Sequence, residues 1–166
     1  MKRTLCSRER GSAVVEMSLV FLPLMFSIFS VFELGRVMWT YHTLASSVKK
    51  GVRVAMVHGA RCAEASSTCP VTVAGIVQEI QRVGVGLDLS TLELHLTAGG
   101  QTLNCAPANS CLTNTTNWPP APYNPVGQTV TICGKYGFNS VLKTMWPGQT
   151  TGTFVLAAKS TEMIQF

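Results

Sequence analysis

An uncharged run of sixteen residues, Met17 to Phe32, dominates the first part of the chain, and only serines and one proline interrupt its apolar side chains. After Arg36 the apolar residues recur every three or four positions, and lysine and arginine occupy much of the opposite face. Spacing of this kind is typical of a helix. The pattern predicts one helix from about Ser12 to His58, on the order of 70 Å long at about 1.5 Å per residue. Its first half is apolar on every side, and its second half, residues 38–58, is amphipathic.

The apolar half of this helix is predicted to span a membrane. A span needs about 20 predominantly apolar residues, and residues 12–37 supply that length. A cleaved secretory signal is disfavoured, because its apolar region would be about 7–15 residues long and would end at a small-residue site. The nearest such site, Thr43 to Ala45, lies beyond Glu33 and Arg36. Those two charged residues are spaced to form an ion pair where the helix leaves the membrane.

The remaining part of the chain, residues 59–166, carries strand patterns separated by turn signals. Three segments place apolar residues at alternate positions and are predicted strands: Thr91 to Thr97, Gln128 to Phe138 and Thr153 to Phe166. A short amphipathic helix is predicted for Val71 to Val83, and Gly99-Gly100 is a candidate hairpin turn. The predicted fold is α+β: a small antiparallel sheet of three or four strands, packed on the amphipathic half of the long helix.

Residues 103–126 are polar and rich in turn residues. Four prolines within the sequence NWPPAPYNP exclude regular structure from that stretch. Trp118 and Tyr123 give it two aromatic side chains of the kind that anchor protein partners. A rigid loop without a partner is the other interpretation.

Charge is unevenly distributed along the chain. The formal net charge is +5, of which residues 1–11 carry +3 from four basic side chains and one acidic side chain. A basic segment before an apolar helix is the positive-inside pattern, which predicts a cytoplasmic N-terminus and an outward-facing remainder. Nucleic-acid binding is disfavoured, because the rest of the chain carries only +2 and does not interleave basic with aromatic residues.

Five cysteines lie beyond the predicted span: Cys62, Cys69, Cys105, Cys111 and Cys133. Cysteines in a small outward-facing domain predict disulfides. Short sequence separation favours the pairs Cys62–Cys69 and Cys105–Cys111. Strand alternation, however, puts Cys133 on a polar face, so a bridge from Cys133 to Cys105 or Cys111 is a competing arrangement.

The sequence contains little that indicates catalysis or metal binding. It has no nucleophile motif such as Gly-x-Ser-x-Gly, and the carboxylates of the outward-facing part are scattered. Zinc is disfavoured because there is no Cys-x-x-Cys motif and because His42, His58 and His95 lack ligand spacing. We therefore expect no enzymatic activity, no metal and no cofactor.

Glu16 is unusual because it is a carboxylate at the start of the apolar helix. The helix dipole stabilises an acidic residue there by about 0.3–1 kcal/mol, but a capping box beginning at Ser12 would need Glu or Gln where Val15 stands. A second explanation is a cut between Gly11 and Ser12. The new α-amino group would be cationic, with a reference pKa of about 8, and could pair with Glu16 of its own chain or of a neighbour.

The N-terminal residues resemble the prepilin signal of type IV pilin-like proteins: a basic leader, then Gly11, then Glu16 at the fifth position after the cut. Three further segments resemble the TadE-like minor pseudopilins of tight-adherence (Flp) pili: Glu33 to Arg36, Leu44 to Ala55 and the closing strand from Ala157 to Met163. Met17 stands where this family commonly has an aromatic residue.

The resemblance implies a bacterial pilus-assembly protein. Residues 1–11 would be a leader that a prepilin peptidase removes after Gly11, and Glu16 would be the assembly carboxylate. The partners would be other pilins or pseudopilins and the inner-membrane assembly platform, contacted as a homo- or hetero-oligomer through the apolar helix. The protein would be a single-pass inner-membrane protein with a periplasmic C-terminal domain, and the pilus itself is a further location.

A membrane-anchored extracytoplasmic binding protein is the alternative function. Its cysteine-rich domain would grip a ligand, and the NWPPAPYNP stretch would belong to the binding surface. This function requires neither Gly11 nor Glu16, so a mature protein that keeps its first eleven residues would favour it.

Overall fold

The computed structural model describes residues 9–62, 69–141 and 153–165, with the backbone alone at residues 9–11 and 153. It confirms the predicted α+β fold. The described elements are two helices, four strands and a 3-10 turn: α1 Glu9–Val57, α2 Val73–Val83, β1 Leu92–Ala98, β2 Gln101–Cys105, the 3-10 turn Ala108–Cys111, β3 Thr129–Asn139 and β4 Thr153–Met163.

The four strands form one antiparallel sheet in the order β2-β1-β3-β4. The hairpin between β1 and β2 turns at Gly99 and Gly100, whose φ angles of 55° and 88° lie in the left-handed region that glycine adopts without strain. Ala98 and Gln101 pair directly across this turn. Two-residue hairpins of this kind match the twist of the strands they join.

The segment 103–126, predicted to be turn-rich, contains more regular structure than the sequence indicates. Strand β2 continues through Leu103 to Cys105, and the 3-10 turn follows at Ala108–Cys111. Within β2 only Leu103 and Cys105 are shielded from solvent, and Gln101, Thr102 and Asn104 are exposed. Five residues with so little apolar character give almost no periodic signal, so pairing with β1 is what defines the strand.

One face of the sheet packs against the second half of α1, with α2 beside it. The residues that form this core are almost completely buried: Leu44, Val48, Val52 and Ala55 of α1; Ile76, Val77 and Ile80 of α2; and Leu92, Leu94, Leu96, Val130 and Ile132 of the sheet. The α1 members are spaced by three or four residues and therefore form one stripe along the helix. The predicted amphipathic half of the helix thus has the sheet as its partner.

Two glycines allow α1 to approach its neighbours closely. A Cβ atom on Gly134 of β3 would lie 2.8 Å from a methyl of Val48 and 3.1 Å from a methyl of Leu44. A Cβ atom on Gly51 of α1 would lie 2.7 Å from the side chain of Ile80. These distances are shorter than carbon–carbon contact allows. Helix α1 therefore approaches the sheet and α2 this closely only because glycine stands at these two positions.

The segment that follows β4 packs against the end of α1. The last described strand ends at Met163, short of the predicted Phe166, which lies outside the described residues. Ile164 is buried, and the backbone N–H of Gln165 donates to the carbonyl of Met56 at 3.0 Å. This hydrogen bond joins the C-terminal segment to the last turn of α1.

We call the sheet, α2 and the loops between them, within residues 59–166, the head. We predict that Gly134→Val destabilises the packing of the head on α1 although valine favours strands. The added carbons must displace Leu44 and Val48, and overpacking of this kind costs about 1–3 kcal/mol. Urea unfolding of the full chain in detergent, followed by tryptophan fluorescence, measures the change. Gly35→Ala is the matched control, because a Cβ there meets nothing within 4 Å. A Gly134→Val protein as stable as its parent would contradict the close approach.

Candidate functional site

From Ser12 to Phe32 no side chain of α1 is buried, and nearly all of them are exposed on every side of the helix. Within Ser12–Val57 an 18-residue window has a mean hydropathy of 2.1, and none of that window is buried in the protein. Phe21, Leu22 and Val31 are representative, with 52%, 71% and 71% of their surfaces exposed. A core helix of a water-soluble domain would be covered by protein. This helix is a candidate membrane span.

The length and the polar groups of this segment suit a bilayer. From Ser12 to Glu33 the helix rises about 32 Å at 1.5 Å per residue, close to the roughly 30 Å thickness of a hydrocarbon core. The hydroxyls of Ser18, Ser27 and Ser30 each donate at 2.8 Å to a carbonyl of the preceding turn. These polar side chains are therefore satisfied within the helix and need no water.

Gly11, Ser12 and Glu16 all lie in the first turns of α1, which begins at Glu9. Ser12 and Glu16 are four residues apart, so they share one face of the helix, with Cβ atoms about 5–6 Å apart. Glu16 is exposed and makes no hydrogen bond or ion pair with any described residue. A carboxylate in this position is available to pair with a cation that the described residues do not supply.

Glu33 and Arg36 form an ion pair at the other end of the apolar segment. Arg36 Nη1 donates to Glu33 Oε1 at 3.0 Å, and the backbone N–H of Val141 donates to the same oxygen at 2.7 Å. The guanidinium carbon of Arg36 lies 5.3 Å from the centre of the Phe138 ring, a cation–π distance. Glu33 is 8% exposed, and its Oε2 is buried without a hydrogen-bond partner in the described structure.

This ion pair therefore also fixes the head to the helix. It joins α1 to Phe138 near the end of β3 and to Val141 just beyond it. The spacing of Glu33 and Arg36 predicts the pair, but nothing in the sequence indicates the hydrogen bond from Val141. A backbone N–H carries no residue signature, so only the fold reveals this contact.

The described residues contain two disulfides, Cys62–Cys69 and Cys105–Cys111, and Cys133 is unbridged. Strand register explains why Cys133 does not join them. Cys105 pairs with Leu94 and faces the core, whereas Cys133 pairs with His95 and faces outward. The competing bridge from Cys133 to Cys105 or Cys111 is not formed, because those two sulfurs are bonded to each other on the core side of the sheet.

His58 lies beside the first disulfide. A ring nitrogen of His58 and the sulfurs of Cys62 and Cys69 all lie within 4.8 Å of one another. Metal binding by cysteine requires thiolates, and the two sulfurs here are bonded to each other. The fold brings His58 to this place from the end of α1, a proximity that ligand spacing in the sequence does not indicate.

The NWPPAPYNP stretch does not offer the aromatic anchor that its sequence suggests. Trp118 is 4% exposed and belongs to the core, and its backbone N–H donates to the carbonyl of Val71 at 3.0 Å. Tyr123 is half-buried, and its side chain lies where a Cβ on Gly99 would stand. The stretch packs against the head, so the interpretation in which Trp118 binds a partner is wrong.

The titratable groups with displaced pKa values occur in ordinary surface motifs. A hydrogen bond donated by Arg82 lowers the pKa of Glu79 on α2. The hydroxyl and backbone N–H of Ser90 both donate to Asp88 and lower the pKa of its carboxyl. Both carboxylates are solvent-exposed or nearly so, and their partners account for their shifts.

We predict that Glu33→Gln loosens the attachment of β3 to α1. The substitution removes the ion pair with Arg36 and the charge assistance of the Val141 hydrogen bond, and hydrogen bonds to charged groups contribute about 1.5–3 kcal/mol. Hydrogen–deuterium exchange at the Val141 amide should accelerate by about tenfold or more.

Glu79→Gln is the matched control, because Glu79 and Arg82 have the same i,i+3 spacing on the exposed surface of α2. That control should leave exchange at Val141 unchanged. Equal exchange at Val141 in Glu33→Gln and in the parent would show that the contact does not hold the strand.

Comparison with known proteins matches this helix to a family. Residues 11–53 match the family model described as TadE-like protein. The match begins at Gly11, covers the whole apolar segment with Glu16, Glu33 and Arg36, and ends within the amphipathic half of α1. No curated protein and no solved structure matches the chain. The resemblance to TadE-like proteins, a family associated with tight-adherence pili, is therefore confirmed, and residues 11–53 are its TadE-like segment.

Proposed function

We propose that this chain is a minor pseudopilin that acts in the assembly of tight-adherence pili through the apolar half of α1. The observation that carries the proposal is the combination of an uncovered apolar helix with Glu16, a carboxylate near its start that has no partner among the described residues. The family match over residues 11–53 supports it. An apolar surface of this size needs either lipid or the apolar helices of other subunits around it.

The proposed first step is removal of residues 1–11 by a prepilin peptidase. The Gly11–Ser12 bond lies in the first turn of α1, where backbone N–H groups have no partners within the helix. Helix ends fray at little cost in free energy, and glycine is the weakest helix former after proline. Local unwinding at Gly11 would expose the bond to a protease without disturbing the rest of the helix.

The cut changes the electrostatics at the start of the helix. It removes the net charge of +3 on residues 1–11 and replaces it with one α-amino group on Ser12. Glu16 then has a group of opposite charge to pair with. This is the Ser12 amino group of its own chain, one helical turn away, or that of a neighbouring subunit. Unpaired charges are penalised in lipid, so pairing between subunits would set the axial register of parallel helices.

The proposed partners and location follow from the same arrangement. Other pilins or pseudopilins and the inner-membrane platform would contact the apolar helix, and the basic leader would lie in the cytoplasm. The head would lie in the periplasm, an oxidising compartment that suits its two disulfides. This role uses packing and charge pairing and needs no catalytic group.

The alternative function, a membrane-anchored binding protein, has less support. Its best candidate anchor in the sequence was Trp118, and that side chain is buried in the core. The alternative also gives no role to Glu16, whereas the pseudopilin proposal does.

We predict that Glu16→Ala leaves membrane insertion intact and prevents pilus assembly. Alanine is at least as compatible with lipid as a carboxylate, so the protein should reach the membrane fraction at its normal level. Without the carboxylate the new amino group of Ser12 has no counter-charge, and surface pili should fall at least about tenfold, equivalent to about 1.4 kcal/mol per assembly contact. Electron microscopy and quantification of sheared pili measure this.

Ser18→Ala is the matched control, since Ser18 is an exposed polar residue half a turn away whose hydroxyl bonds only its own helix. It should support normal piliation. Glu16→Gln, which keeps the shape and removes the charge, should behave like Glu16→Ala. Normal pili in either Glu16 variant would refute the assembly role of the carboxylate.

A further inference from the structure

Two adjoining cavities lie beside α1 at the end of its apolar segment, and Arg36, Thr40 and Gly86 line both of them. The larger has a volume of about 510 Å³, and its other lining residues all belong to α1: Val31, Phe32, Gly35 and Trp39. The smaller has a volume of about 260 Å³ and lies between α1, the loop from α2 to β1 and the end of β3. A molecule that occupies both cavities must therefore be apolar at one end and polar at the other.

The larger cavity continues the surface of the candidate membrane span. Val31 and Phe32 are the last residues of the uncharged run, and 71% and 68% of their surfaces are exposed. Trp39 is 70% exposed, and tryptophan favours the interface between membrane and water. From Val31 to Trp39 the helix rises about 12 Å, enough to cross the headgroup layer of about 5–8 Å on one side of a bilayer. This cavity therefore lies at the level where lipid acyl chains meet their headgroups.

The smaller cavity presents one cation and one anion. Among the described residues that line it, Arg36 and Asp88 carry charge. The guanidinium of Arg36 has five N–H groups, of which one bonds Glu33 and none of the others bonds a described residue. Hydrogen bonds from Ser90 lower the pKa of the exposed Asp88 carboxyl, so Asp88 is ionised at neutral pH. The guanidinium fork suits a phosphate group, and the carboxylate suits an ammonium group.

The balance of charge at the polar end selects the kind of headgroup. Glu33, Arg36 and Asp88 together carry a net charge of −1, so a headgroup with its own net negative charge meets like-charge repulsion. A zwitterionic headgroup brings one phosphate and one ammonium, and each of them finds an opposite charge. A primary ammonium also has three N–H groups to donate to Asp88, whereas a trimethylated ammonium has none.

We propose that these two cavities bind one zwitterionic phospholipid whose headgroup carries a primary amine. An acyl chain lies along Val31 and Phe32, the phosphate accepts hydrogen bonds from Arg36, and the ammonium donates to Asp88. The bound lipid joins α1 to the loop from α2 to β1 and so holds the head at the membrane surface. This site requires that α1 spans a membrane, and it does not depend on a role in pilus assembly.

A phospholipid fits this place better than the apolar helix of a second copy of the chain. A neighbouring helix would cover Val31 and Phe32, but it would leave the charges of Arg36 and Asp88 without partners at the edge of the contact. Uncompensated charges of this kind weaken an interface. The phospholipid satisfies both ends of the paired cavities, because its apolar and charged parts are joined in the same order as theirs.

The test measures lipid binding to the full chain in detergent by native mass spectrometry. The protein is titrated with phosphatidylethanolamine, phosphatidylcholine or phosphatidylglycerol of identical acyl chains. We expect one phosphatidylethanolamine per chain, bound at least about threefold more tightly than either other lipid, within the range that one exposed ion pair provides. Asp88→Asn keeps an oxygen for the Ser90 N–H and removes the charge, so it should abolish the preference over phosphatidylcholine.

Arg36→Gln should weaken phosphatidylethanolamine and phosphatidylcholine alike, by about threefold or more. Glu93→Gln and Arg82→Gln are the matched controls, because they remove an exposed carboxylate and an exposed guanidinium that line neither cavity. Both should bind the lipids as the parent does.

The proposal is overturned if the parent binds the three lipids equally, if Asp88→Asn keeps the parent's preference, or if a control loses as much as Asp88→Asn. A lipid-free dimer in the presence of phosphatidylethanolamine would also overturn it, since a second chain would then fill the site. Asp88→Asn leaves α1 and the ion pair with Glu33 untouched, so it decides the matter even if Arg36→Gln does not fold. None of these results depends on Glu16 or on a cut after Gly11, so they are separate from the test of the assembly role.

Discussion

One continuous helix has to satisfy two environments, and the rest of the structure follows from that constraint. Up to Phe32 the surface of α1 is apolar on every side and uncovered, whereas from Leu44 onward one stripe is buried under the sheet. The change occurs around Glu33 and Arg36, which form an ion pair, and Glu33 also accepts a hydrogen bond from the backbone N–H of Val141. A helix that continues unbroken through this point fixes the height of the head above the apolar segment. Any contact that orients the apolar half therefore orients the head as well.

The two faces of the sheet have different roles. On the inner face, Gly134 has no side chain, and this allows α1 to pack closely against the sheet. The outer face keeps polar side chains in register, and they include the one unbridged cysteine among the described residues. The disulfide Cys105–Cys111 lies on the core side of the sheet and Cys133 lies on the outer side, because alternate residues of a strand face opposite sides.

Much of this fold could be predicted because its strongest signals are periodic. The long helix, the three longer strands and the glycine hairpin follow from spacing of apolar residues and from turn chemistry. Strand β2 could not be predicted, since its residues carry little apolar alternation and the strand exists through pairing with β1. The burial of Trp118, the placement of His58 beside a disulfide and the contact of Asn104 with His95 are tertiary facts. The burial of Trp118 depends on packing between separate parts of the chain and has no local pattern, whereas His58 lies only four residues before Cys62, and Asn104 meets His95 through the register of the glycine hairpin.

Glu16 links the sequence to the proposed function, because it is a carboxylate at the start of the apolar helix that has no partner among the described residues. If a cut after Gly11 creates the missing cation, the mature protein must begin at Ser12. Intact-mass measurement of the protein isolated from the membranes of its native host tests this most directly. The account predicts a mass reduced by the first eleven residues, with Ser12 at the N-terminus. A protein that retains those residues, or one that begins at another position, would contradict it.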